Sequence, residues 1–290
     1  MGISLVVPDV GAFESIIATL ASWQRDSAVV QLHPGDLGWA WRHGAPAVAT
    51  AVRMWLDEDT IAAIGFFDGP TVFRMTVAPE RWSDAQIARR VLDDLGSADG
   101  MRFPNGHLSV EVPTGTTLYR LLASSGWQGG EAWAPLARDL AEPVDLTGLG
   151  LRFEVVAGER VAEFTAVHRS AWSNQSFTDD LWKTMSGGPA FQNGACILGR
   201  DGSGAAVAGV TIWPAGVGRP GLIEPMGVDA DHRGRGNGRA ICIAAAAELQ
   251  RRGASIAWVC TPSSLRSAVA TYRSAGFAPL PERLDLVRTH

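Results

Sequence analysis

Through the second half of the chain, apolar residues recur at every other position in some stretches and at every third or fourth in others, and the two periods alternate. LRFEVV (151–156) has the strand period, whereas VAEFTAVHRSAW (161–172) and TDDLWKTMSG (178–187) have the helical one. ACILGRD and GAAVAGVTIWPAG predict a hairpin, and PGLIEPMGVD (220–229) predicts another strand. A long helix is predicted over 237–252, where Ile241, Ala244, Ala245 and Leu249 form an apolar stripe interrupted by one acid, Glu248, and Gly253 marks the end. A strand at SIAWVC, a helix over 263–274 and a last strand near ERLDLVR complete the order β-α-α-β-β-β-α-β-α-β.

The first half follows the same order more faintly. AWRHGAPAVATAVRMWL and IAAIGFFDG predict strands and TVFRMTVAPE the next, DAQIARRVLDDLG a helix, HLSVEVP a strand and TTLYRLLASSGW a helix. Val77 to Gly126 spans 49 positions and Val228 to Gly276 spans 48, so both halves are expected to descend from one duplicated unit. The stretch ARDLAEPVDLTGLG (137–150) mixes acids, Pro and Gly without either period and reads as a linker. Two domains are therefore expected, 1–140 and 150–290, each an α/β (α+β) fold.

Composition narrows the function. A hydrophobic share of 46% with 19% charged residues describes a globular chain, and no apolar run reaches the roughly 18 residues of a membrane span. The start, MGISLVVPDVGAFE, lacks a basic, apolar leader, so the expected location is the cytoplasm without membrane contact. A net charge of −5 argues against a nucleic-acid partner. Cys196, Cys242 and Cys260 have no ligand or disulfide spacing and are expected to be buried free thiols; no metal is expected.

The segment with chemistry in it is Met226 to Arg239, between a predicted strand and the long helix. Gly234, Gly236 and Gly238 stand at alternate positions, so the backbone can turn sharply and aim successive amides at one anion. The helix start adds its dipole, and Arg233, Arg235 and Arg239 add charge. That combination suits a pyrophosphate. The dinucleotide pattern G-x-G-x-x-G fails because position 239 is arginine, and the chain has no Gly-Lys pair for a P-loop. An RNA-binding basic loop lacks the interleaved aromatic residues and overall positive charge it would need.

The spacing R-x-x-G-x-G at Arg233, Gly236 and Gly238 resembles the coenzyme A loop of GNAT N-acetyltransferases. Ala268, Tyr272, Gly276 and Phe277 match the same family's A-x-x-x-Y-x-x-x-G-F helix, 39 residues on from Arg233 to Tyr272. The resemblance covers 150–290, and the first half looks like a degenerate copy, giving a tandem arrangement similar to mycothiol synthase. It implies two tandem GNAT-like domains, each with a mixed, mostly antiparallel sheet flanked by helices. It further implies that Met226, Gly227 and Val228 hold the pantetheine arm in a splayed strand, that Arg233, Gly234, Arg235, Gly236, Asn237, Gly238 and Arg239 hold the pyrophosphate, and that Tyr272 protonates the departing thiolate. The expected reaction is direct transfer of acetyl from acetyl-CoA to the amine of a small molecule by a monomer or homodimer. The alternative is an inactive acyl-CoA sensor.

Glu224, four residues before Val228, is the candidate base; a strand acid paired with arginine is the other reading. Tyr272 has a core tyrosine as its alternative. Two departures from the pattern matter. Leu265 stands where the family commonly has Asn, with Ser264 the nearest polar replacement. The first half's turn, APERWSDAQ, has no glycine, and Leu122 replaces the tyrosine, so no coenzyme A site is expected there. His33, His43, His107, His232 and His290 read as solvated, while His168, with Trp172 at i+4, is either a structural histidine or a wall of the acceptor pocket. Trp182 and Trp213 are core or pocket wall.

Overall fold

The computed structural model describes residues 2–28, 31–96 and 107–289. From the start the chain runs through β1 (Ser4–Val6), α1 (Phe13–Trp23), α2 (Pro34–Ala40), α3 (Ala45–Ala51), β2 (Val52–Asp57), β3 (Thr60–Phe67), β4 (Val72–Val77), α4 (Ala85–Gly96), β5 (His107–Glu111), α5 (Thr117–Ser124) and β6 (Gln128–Asp139). It continues through β7 (Arg152–Val155), α6 (Arg160–Trp172), α7 (Asp179–Ser186), β8 (Ala195–Arg200), β9 (Ala206–Pro214), β10 (Gly221–Val228), α8 (Asn237–Arg251), β11 (Ile256–Pro262), α9 (Arg266–Ser274), β12 (Ala278–Pro279) and β13 (Arg283–Thr289). The second half keeps the expected order, with a two-residue strand added near its end. One expected strand is corrected. AWRHGAPAVATAVRMWL is strand only from Val52, because Ala45–Ala51, alanine-rich with Pro46 in its first turn, favours helix.

Two compact units are present, and each draws on both halves of the sequence. The first comprises Met1–His33, Ala45–Trp133 and Glu282–His290; the second comprises Pro34–Gly44 and Ala134–Pro281. The division is not a single cut between 140 and 150: the α2 segment counts with the second unit and the last strand with the first.

In the first unit the strand order is β1-β2-β3-β4-β5-β13 followed by the leading half of β6. Among the described residues of this unit only β4 and β5 pair in parallel. Its core holds Trp55, Phe73, Met75, Ile87, Val91, Val110 and Leu286. In the second unit the order is β7-β8-β9-β10-β11 and then the trailing half of β6, with β12 beside β6. Here α8 supplies the stripe its sequence predicted, with Ile241, Ala244, Ala245 and Leu249 buried, while Glu248 turns to Arg251 and Arg252 at 2.5 and 2.7 Å.

Buried ionisable groups set a pH signature in the first unit. Asp285, 5% exposed, accepts from Arg283 Nη1 at 2.6 Å and Trp133 Nε1 at 2.7 Å. Burial, then the like charge of Glu111, outweighs Arg283 and pushes its carboxyl up to about 6. Between about pH 4 and that value the folded chain therefore holds a proton the unfolded chain has lost, so this residue's contribution to stability declines as pH rises through the window. Relative to Asp285→Asn, the wild type should lose about 1–2 kcal/mol of unfolding free energy between pH 4 and 7, after discounting for solvent screening. Paired urea titrations at the two pH values check this; an unchanged difference would show that Asp285 is ionised throughout.

Candidate active site

Two features of the second unit meet at one cleft. The first is the end of β10. β10 and β11 run parallel and pair only at Gly221/Ala257 and Leu222/Trp258, so beyond Leu222 the β11-facing edge of β10 has no strand beside it. Toward β9 the ladder continues to Val228, but its register shifts between Ile223 and Met226, leaving Glu224 and Pro225 in a bulge. Pro225 has no N–H to give to either ladder, which is the local reason the strands part here. The carbonyl of Glu224 is taken instead by Trp213 Nε1 at 2.6 Å.

At the corresponding place in the first unit the parallel pairing runs three residues further before it stops. There β4 and β5 stay paired through Val72/Ser109, Phe73/Val110 and Arg74/Glu111. Arg74 occupies the repeat position of Pro225, restores the missing N–H, and lies 3.6 Å from the buried carboxylate of Glu111.

The second feature is the loop from Asp229 into α8. Asp229 anchors it: its amide bonds Val207 O at 2.9 Å, and its carboxylate accepts from the Asp231 amide at 3.1 Å and contacts His232 Nδ1 at 2.7 Å. Hydrogen bonds from Ser170 and His232 hold that carboxyl below the usual range. The chain then turns through Gly234 and Gly236, with φ of +73° and +82°, a region open to glycine at little cost. Gly236 is the N-cap of α8 and no side chain caps the helix, so the first-turn N–H groups of Asn237, Gly238 and Arg239 face outward with the positive end of the dipole. A Cβ on Gly238 would stand 2.9 Å from Thr271 Cγ2, so α8 and α9 approach to a distance that favours glycine.

Between these features lies a cleft of about 680 Å³. Met226, Gly227 and Val228 line one side, and Arg233, Gly234, Gly236, Asn237, Gly238 and Arg239 line its end. Arg235 does not line it; its guanidinium turns back to Asp231 O at 3.1 Å. Arg233 lines the cleft while donating to Ala171 O at 2.5 Å, which ties the loop to the end of α6. Arg239 donates to Ser274 O at 3.0 Å.

Beside Ala268, which the helix motif had singled out, the cleft is lined by Ser267, Thr271 and Ser274 of α9, which sequence reasoning missed. Their signal was present as small polar residues at i, i+4 and i+7. Leu265 also lines the cleft and is 50% exposed, whereas Ser264 does not line it.

Neither candidate catalytic residue lines the cleft, and Glu224, in the bulge of β10, is half-buried. Tyr272 is 7% exposed, packs edge-on against Phe277 at 6.1 Å, and is not among the lining residues. Burial first, then Cys242, Glu224 and Cys260, pushes its phenol well above the ordinary tyrosine range. The influence of Glu224 brings the two candidates into electrostatic reach of each other.

Other expectations divide. Cys196 and Cys242 are buried free thiols, Cys260 is half-buried, and burial pushes the Cys196 thiol up to about 12. His33 is a correction: at 5% exposure it is part of the interior, not a solvated loop residue. The side chain of His107, and His290 entirely, lie outside the described residues. Trp213 is core at 1% exposure, while Trp182 donates to Cys196 Sγ at 3.3 Å. Among the described residues there is no cluster of His, Cys, Asp and Glu suited to a metal, and no helix is long and apolar enough to cross a membrane.

Comparison with known proteins bears on the family and the fold. Residues 160–277 match the acetyltransferase (GNAT) family model. No curated protein matches the chain. Among solved structures, a tandem GNAT protein from the clavulanic acid biosynthesis pathway is 13% identical with a TM-score of 0.62, over 99% of this chain and 98% of that one. A GCN5-related N-acetyltransferase from Sphaerobacter thermophilus is 18% identical with a TM-score of 0.59, over 99% of this chain and 95% of that one. A GNAT-family acetyltransferase from Colwellia psychrerythraea is 13% identical, also at 0.59, over 100% and 99%. At these identities the likeness is one of fold.

Proposed function

The segment 160–277 is an acetyltransferase domain of the GNAT family, and from that premise we propose that the protein moves the acetyl group of acetyl-CoA to the amine of a small molecule, with the second unit holding the coenzyme. The observation that carries this reading is the convergence of an open strand edge at Met226–Val228 and an uncapped helix start at Asn237–Arg239 on one cleft. An extended pantetheine arm needs backbone partners along its length, and a pyrophosphate needs converging N–H groups. The residues present fit both. Gly236 leaves open space at the cleft end, since nothing lies within 4 Å of where its Cβ would be.

When bound, acetyl-CoA supplies an acyl group on a good leaving thiol. The protein's part is to place and move protons. The Val228 amide, on the open edge, is the donor available to the thioester oxygen, whose charge grows during attack. Glu224, in the bulge four residues back along the strand, accepts the proton of the attacking amine directly or through water. Tyr272 keeps its proton over the working pH range because burial disfavours the phenolate, and it gives that proton to the departing thiolate.

Calorimetric titration of the full chain with acetyl-CoA and free coenzyme A, followed by a thiol-release assay over a panel of amines, tests the reading. Saturable binding with amine-dependent thiol release is expected. Binding without release from any amine would favour an acyl-CoA sensor, a reading to which the buried position of Tyr272 lends some support. Absence of binding would remove the coenzyme assignment.

A further inference from the structure

Around the second half of α6, beside the cofactor cleft, four aromatic rings gather. Trp39 of α2 lies 5.5 Å from the His168 ring and 4.9 Å from Phe177, centre to centre. Phe177 lies 4.6 Å from His168, and Trp172 stacks on His168 at 6.2 Å with 28° between the planes. Both ring nitrogens of His168 are buried without a hydrogen-bond partner among the described residues. A structural histidine would ordinarily have one filled.

Trp172 belongs to two places at once. One face packs on His168, yet the residue is 55% exposed and lines the cofactor cleft. Its Nε1 lies 3.4 Å from the position of a Cβ on Gly227, so the ring sits beside the strand edge that would hold the thioester arm. An exposed indole there offers a flat apolar surface within reach of an incoming acceptor.

The charge around this surface discriminates further. The Arg42 guanidinium stands 4.2 Å from the centre of the Trp39 ring, and Arg169 donates to Phe177 O at 3.0 Å. These two arginines are the charged groups that act on the His168 ring; with burial as the larger cause, they hold the imidazole near pKa about 4, hence neutral. A polycation such as an aminoglycoside or a polyamine needs carboxylates for its second charge. At this surface the charges that act on the His168 ring are guanidiniums, and like charges a few ångströms apart repel.

We propose that Trp172, backed by the rings of Trp39, His168 and Phe177, forms the acceptor subsite, and that the acceptor is a primary amine on a planar aromatic body with no second positive charge. The proposal rests on the reading of the second unit as an acetyl-CoA-dependent transferase and supplies its substrate class. The aromatic body stacks on Trp172, and the amine points along β10 toward Glu224. Trp39 reaches this subsite from the first half of the sequence, within the Pro34–Gly44 segment that counts with the second unit.

The test uses the full chain with acetyl-CoA and measures thiol release with phenethylamine, spermidine and kanamycin as probes, with acetyl-CoA affinity measured separately by calorimetry. The expected kcat/KM for phenethylamine exceeds that for either polycation at least about tenfold, since one such discrimination corresponds to a single contact's energy. Trp39→Ala should raise KM for phenethylamine about tenfold with acetyl-CoA affinity within about twofold of wild type. Arg42→Glu, which reverses the charge beside the Trp39 ring, should shift the spermidine-to-phenethylamine ratio toward spermidine about tenfold. Preference for spermidine or kanamycin overturns the proposal, as does intact acetyl-CoA binding with no phenethylamine turnover, or an unaltered ratio in Arg42→Glu. In each of those cases the coenzyme assignment stands, whereas wild type that binds no acetyl-CoA overturns both.

Discussion

Acetyl-CoA affinity falls at least about 100-fold in Gly236→Glu, a loss of roughly 2.7 kcal/mol of binding free energy. Two effects combine. Position 236 has φ of +82°, where a side chain other than glycine is strained by about 1–2 kcal/mol. The new side chain also enters open space at the cleft end, bringing a negative charge to the start of α8 just where phosphates would bind. Gly236→Ala separates the two, because it keeps the strain without the charge and should lose only about tenfold. Calorimetric titration reads both variants. Wild-type affinity in Gly236→Glu would mean that the anion sits elsewhere and that the uncapped turn of α8 has no ligand.

Tyr272→Phe lowers kcat by about 100-fold while acetyl-CoA affinity stays within about twofold. The substitution keeps the ring, its 6.1 Å edge contact with Phe277 and the packing beneath α9, and removes only the hydroxyl. A group that acts at the departing thiolate touches the rate and not the binding of the ground state. The pH profile gives a second readout. Because burial disfavours the phenolate, wild-type kcat should show no alkaline decline near pH 10 from this residue. An unchanged kcat would place Tyr272 with the core tyrosines and transfer the proton-donor role to solvent. Equal losses of rate and of coenzyme binding would mean that the phenol holds the cleft together.

The loop and its helix were legible in the sequence because their physics is local. Gly234 and Gly236 take left-handed conformations, α8 begins within a residue of where its apolar stripe predicted, and Met226 to Val228 emerge on one strand edge. The α9 side of the cleft was less visible. Ser267, Thr271 and Ser274 carry a helical spacing, but a polar stripe on a short helix reads as solvent-facing until another element is known to stand across from it. Arg235 shows the reverse: charge and position favoured the site, and the side chain turned back to Asp231 O. Which way a long exposed side chain points is decided by the nearest acceptor in space, which sequence spacing does not supply.

What the amino-acid sequence determined alone is therefore the repeat, the element order of the second half, and the backbone that can receive an anion, since each depends on neighbours within one or two turns. The tertiary structure decided the rest. It set Pro34–Gly44 into the second unit and Glu282–His290 into the first. It parted β10 from β11 after Leu222 while β4 and β5 stayed paired to Glu111. It also brought Trp39 onto His168. These outcomes follow from which apolar surfaces and strand edges find partners when distant segments pack. That choice is made by total burial and hydrogen-bond satisfaction over the whole unit, quantities that no local pattern contains.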